Sequence, residues 1–226
     1  MKRLLLIAAA VSATLAHADN VISKGSVGWS YLHITDAIDP VNSDADFHTT
    51  WFNPSAGGYT GVTYDGPAFA TGGTAPLRYS TLNGVSGGTV FSPTPTSGLR
   101  YTNYCYLVFD GGSGFTDLKL SMLSDDGAFV YLNGEMIAAD NVTAPDAYLK
   151  FADSTGNESI YDDIILIGAP KVKPGLNLLA ISLHQVNATS SDLGFDLQLS
   201  GSPILATSSS SGWSMLSPVN GGTGND

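Results

Sequence analysis

The chain has 226 residues, with 9 Lys+Arg against 20 Asp+Glu, 26 Gly, 11 Pro and a single Cys. Its length suits one domain of about 200 residues, or two small ones, with enough apolar content to bury a core. The acidic excess argues against a surface that tracks nucleic-acid phosphates or an anionic membrane, and one cysteine excludes an internal disulfide framework or a multi-cysteine metal centre.

Met1-Lys2-Arg3 is a short basic start, followed by an apolar run from Leu4 to Leu15 and by Ala16-His17-Ala18. That order predicts a signal peptide over residues 1–18, too short in its apolar part to span a bilayer, where about 20 residues are needed. Cleavage before Asp19 leaves 7 basic against 20 acidic residues, a net charge of −13. The expected location is therefore extracellular or in a bacterial cell envelope, with a domain over residues 19–206.

Asp36, Asp39, Asn42, Asp44 and Asp46 crowd one stretch. Asn42, Asp44 and Asp46 match the first three ligand positions of a calcium loop. Phe47 replaces the turn glycine and Asn53 the closing glutamate, so an EF-hand is excluded. Calcium is still the candidate cofactor for these oxygens. A turn of helix is expected near Ser43 to Thr50. Residues 54–100 are rich in Gly, Pro, Thr and Ser, with scattered aromatics, and read as a loop-rich insertion.

From there the pattern has period two. Tyr104 to Phe109 is apolar on both faces, as a central strand is. Leu118, Leu120 and Met122 alternate with Lys119 and Ser121. Asn133-Gly134 between Ala128–Leu132 and Glu135–Ala139 predicts a tight hairpin, because both turn residues tolerate positive φ. Ile160 to Ile167 is one more strand. Leu179, Ile181 and Leu183 form one face of another, with Ala180, Ser182 and His184 opposite, and Phe195, Leu197 and Leu199 line a last one. Residues 207–226 read as a polar linker or tail. Strands at this spacing, with few short helices, predict an all-β, antiparallel β-sandwich or jelly roll.

Two segments carry a family resemblance: Ser124-Asp125-Asp126-Gly127-Ala128-Phe129-Val130-Tyr131-Leu132-Asn133-Gly134-Glu135, and Gly175 to Gln185 with Ser190-Ser191-Asp192-Leu193-Gly194-Phe195-Asp196-Leu197. Together they resemble a galactose-binding-like module of secreted bacterial multidomain proteins, found beside metallophosphoesterase, lamin-tail or spore-coat-kinase-like domains. Arg78 and Tyr104-Cys105-Tyr106-Leu107 depart from that pattern. The resemblance implies a jelly roll of two antiparallel sheets and a role in glycan binding or adhesion.

Catalytic signatures are lacking. There is no nucleophile elbow, no His-Glu-x-x-His pair and no phosphate loop. His184 with Asp192 and Asp196 invites a His–carboxylate reading, but a His184-Gln185 pair bonded to a neighbouring loop explains it more simply. Asp125-Asp126 reads equally as a turn or as a ligand pair, and Cys105 as a buried small hydrophobe. For a sugar ligand the flat rings of Trp51, Tyr59, Tyr64 and Tyr79 are the candidate stacking platforms. The expected function is a non-enzymatic secreted module that binds carbohydrate or an extracellular surface. The alternatives are an assembly subunit with protein partners or self-association, and an accessory domain of a larger extracellular hydrolase. Neither nucleic acid nor a membrane span is expected.

Overall fold

A computed structural model describes residues 19–53, 69–80, 82, 85–156, 159–166 and 172–204. The leader (residues 1–18), Tyr59, Tyr64 and the tail from residue 207 lie outside them.

Among the described residues twelve strands make two six-stranded sheets. The first sheet is built on β7 (Phe115–Asp125) and β12 (Leu193–Pro203), antiparallel over nearly their whole length. On the outer side of β7 lies β10 (Asp162–Ile165). On the far side of β12 lie β4 (Leu77–Tyr79) and, further along, β1 (Asp19–Ile22). The short β5 (Thr89–Val90) adds to β4 in parallel.

The second sheet runs β3 (Ala70–Thr74), β2 (Val27–Leu32), β6 (Asn103–Asp110), β11 (Leu176–His184), β8 (Gly127–Leu132) and β9 (Glu135–Asp140), antiparallel throughout. The expected all-β sandwich is the fold observed.

Local chemistry accounts for the elements. Asn133 and Gly134 turn the β8–β9 hairpin with φ of 54° and 89°, the left-handed values that Asn and Gly accept at least cost. The stretch expected as loops contributes β3, β4 and β5 in its described part. Among the described residues helix is confined to a 3-10 turn at Pro40–Asn42 and one turn, α1 (Phe47–Thr50).

The alternation places Leu120, Met122, Leu197 and Leu199 of the first sheet against Cys105, Leu107, Val130, Leu179 and Ile181 of the second. Trp29 is fully buried in this core, edge-on to Phe195 at 5.0 Å. The second sheet is also covered on its outer face. There Tyr104, Tyr106, Phe129, Tyr131 and Ala180 pack under Phe47, Trp51 and Tyr148. Burial on both faces is why Tyr104 to Phe109 reads as a continuous apolar run.

Candidate functional site

β10 is an edge strand of the first sheet and β9 of the second, and the residues 141–161 connect them in the chain. Between them opens a cleft of about 210 Å³, lined by Ser124, Asp126, Asp140, Asn141, Ser154, Thr155, Gly156 and Asp162. Every side chain in that lining is a hydroxyl, an amide or a carboxylate.

The apolar alternation of β7 ends at Ser124 and Asp125, and these two and the next residue, Asp126, are buried polar side chains. Ser124 Oγ donates to Asp140 Oδ2 at 2.5 Å and so ties the two sheets together. Asp126 is held by backbone donors: Val186 N–H at 2.7 Å to Oδ2 and Gly156 N–H at 3.3 Å to Oδ1. Asn141 Nδ2 donates to the carbonyls of Asp126 at 2.9 Å and Ser154 at 2.6 Å, while Asn141 Oδ1 receives Ser154 Oγ at 2.8 Å. Gly156 belongs here for want of room. A β-carbon on it would stand 2.5 Å from the Asp126 carbonyl and 2.8 Å from that of Ser124.

Electrostatically the cleft is acidic. Desolvation raises the Asp126 carboxyl above its ordinary range, opposed by the Val186 and Gly156 bonds and reinforced by Asp192. Desolvation also raises Asp140, opposed by the Ser124 hydroxyl and reinforced by Asp162. These carboxylates are strong acceptors in a half-dry recess.

The stacking platforms named from sequence fare differently. Trp51 and Tyr79 are each 1% exposed, so neither offers an open face. Trp51 packs against Tyr104 at 4.8 Å and Tyr131 at 5.8 Å. Tyr79 lies in the inter-sheet core, its hydroxyl accepting from Gln185 Nε2, and burial pushes its pKa up.

The carboxylates of the Asp36–Asp46 stretch turn back on their own chain. Asp36 Oδ1 accepts from Ile38 N–H and Asp44 Oδ1 from Asp46 N–H, both at 3.1 Å. Asp39 Oδ1 accepts from Val41 N–H at 3.1 Å and pairs with His48 Nε2 at 2.8 Å. Asn42 lies in the 3-10 turn, its N–H bonded to the Asp39 carbonyl at 2.9 Å. Among the described residues no three His, Cys, Asp or Glu side chains converge as a metal-binding group.

His184 does bond a neighbouring loop, through Lys150 O at 2.8 Å, but its carboxylate neighbour is Asp146 at 3.1 Å rather than Asp192 or Asp196. The other described histidines also have partners: His33 meets Asn103 Oδ1 and Pro93 O, and His48 meets Asp39. Cys105 is fully buried, and desolvation pushes its thiol pKa well up. Among the described residues no helix is long and apolar enough to cross a membrane.

Sequence reasoning named Asp126 only as half of a turn or ligand pair and missed Asp140, Asn141 and Ser154. Their signal was faint: a carboxylate that ends a hairpin strand and an amide directly after it, within reach of a loop that returns to them.

No family model matches the chain, and no curated protein matches it in sequence. Among solved structures it is similar to a β-glucuronidase from an uncultured Clostridium species (11% identity, TM-score 0.43, covering 90% of this chain and 31% of that one). It is also similar to a β-glycosidase from Bacteroides vulgatus (14%, TM-score 0.41, 82% and 20%). A third is a β-glucosidase from Kluyveromyces marxianus in complex with glucose (11%, TM-score 0.39, 76% and 16%). The chain spans less than a third of the length of each of them.

Proposed function

We propose that this chain is a secreted, non-catalytic, galactose-binding-like module whose ligand is a neutral carbohydrate held in the cleft between β9 and β10. The observation that carries this reading is the composition of the cleft: hydroxyls, an amide, backbone groups and three carboxylates, without a basic or large apolar side chain among the lining residues. A sugar presents many hydroxyl donors, and an ionised carboxylate accepts from two of them with charge-assisted strength. A uronate or sulfated sugar would instead bring a like charge against Asp126, Asp140 and Asp162, which is unfavourable. The volume suits one ring, below the ~300 Å³ at which sites for drug-sized ligands begin. The non-catalytic part rests on the occupied histidines and the buried thiol.

The test is a glycan array followed by titration calorimetry with neutral hexoses and hexuronates. Asp140→Asn and Asp162→Asn are expected to weaken neutral-sugar binding about tenfold each, roughly 1.4 kcal/mol. Binding left intact in both variants, or a preference for uronates, would overturn the assignment of the cleft.

A further inference from the structure

Outside the cleft lining, a buried polar network holds the segment 141–156 that contributes to that lining. Its centre is His184, 0% exposed on the outer face of the second sheet and edge-on to Phe129 at 5.4 Å. Nδ1 lies 2.8 Å from Lys150 O and 3.0 Å from Thr102 Oγ1. A carbonyl only accepts, and the Thr102 hydroxyl donates its hydrogen to Tyr148 O at 2.7 Å. Nδ1 therefore carries a proton.

Across the ring, Nε2 is 3.1 Å from both Ser182 Oγ and Asp146 Oδ1. Ser182 Oγ donates to Asp146 Oδ2 at 2.8 Å, and Tyr131 Oη donates to the same oxygen at 2.9 Å. Two donors on one oxygen are the company of an ionised carboxylate. Oδ1 is buried and receives no hydrogen bond, so its charge is met by the ring beside it. Ser182 Oγ gives its hydrogen to Asp146, so an unprotonated Nε2 would face the Ser182 oxygen lone pairs at 3.1 Å with the Asp146 carboxylate at the same distance and no donor between them. Nε2 carries a proton as well.

We infer that His184 is held in the fold as an imidazolium paired with Asp146, and that this pair positions the loop wall of the cleft. The segment 141–156 lines the cleft with both its ends, Asn141 from the first and Ser154, Thr155 and Gly156 from the second, and Asn141 and Ser154 are bonded to each other. Between them it is fastened to the second sheet at Asp146, at the Tyr148 and Lys150 carbonyls, and through Ala152 N–H to Gln185 O at 2.8 Å. Asp146 and Tyr148 from the loop, Tyr131 from β8 and Tyr104 from β6 are the titratable groups packed around the pair. The Lys150 ammonium points the other way, to Thr143 and Asp153.

Only the wall's importance for binding rests on the carbohydrate reading. The tests use no ligand, so their failure and that of the carbohydrate reading are distinguishable. Long-range ¹H–¹⁵N spectra of the full labelled chain near pH 7 are expected to show both His184 nitrogens at protonated shifts. One nitrogen at an unprotonated shift overturns the charge assignment, and this measurement needs no variant. In Asp146→Asn, amide exchange over residues 141–156 is expected to quicken about tenfold or more, while β7 and β12 keep their protection. Unchanged protection of that segment overturns the positioning role, as does equal loss across both sheets.

Discussion

Ser124 Oγ and Asp140 Oδ2, 2.5 Å apart, join the last turn of β7 in one sheet to the end of β9 in the other. The carboxylate so placed sits where burial raises its pKa and where Asp162 adds a like charge. The folded chain therefore binds that proton more tightly than the unfolded chain. The stability this contributes is fully present below the unfolded carboxyl value of about 3.9 and is lost as pH rises through the raised folded value.

Asp140→Asn keeps an acceptor for Ser124 and has no charge to bury. At neutral pH its Tm is expected to equal or exceed the parent's by a few degrees, with the gap closing as the pH approaches 4. Melting curves across that range measure it. A variant that melts well below the parent at neutral pH would mean that the charge serves the fold rather than a ligand.

Trp51→Ala tests the division between platform and core. The indole is buried beside Tyr104 and Tyr131, so its truncation is expected to cost about 3–5 kcal/mol in urea unfolding. Below the melting point, affinity for a cleft ligand should be unchanged. A variant with native stability and lost binding would restore Trp51 as a recognition residue.

Asp39 caps the 3-10 turn and pairs with His48, with its side chain 28% exposed. Asp39→Ala is expected to cost about 1 kcal/mol, the usual worth of a cap. Thermal unfolding in calcium and in chelator should give the same loss. A parent Tm that rises with calcium and falls with chelator would instead establish a cation over Asp36, Asp39, Asn42, Asp44 and Asp46.

Much of the sandwich was legible in the sequence because period-two burial is a local property. β7, β11 and β12 follow their alternating leucines, and the β8–β9 hairpin follows Asn133-Gly134. The outer cluster was half legible: Tyr104 and Tyr106 announce a strand buried on both sides, but not that Trp51 and Tyr148 would cover it. The cleft was scarcely legible. Its residues come from the ends of three strands and a returning loop, spread from Ser124 to Asp162, and only the sheet topology brings them together. The Asp36–Asp46 stretch misleads in the opposite way. Its spacing imitates a chelating loop, yet short Asp side chains reach their own backbone two residues on, which satisfies them locally.

The position of β12 in the first sheet also bears on how the chain is made. It is the last described strand, yet it lies between β7 on one side and β4 and β1 on the other. A nascent chain that has not yet emerged past Leu193 holds β1, β4 and β7 with nothing to join them. Pairing of β1 with β12 then closes a loop of more than 170 residues between Asn20 and Ser200. The joining of these described strands thus waits on β12, and a truncation before Leu193 would leave aggregation-prone edges rather than a smaller working domain.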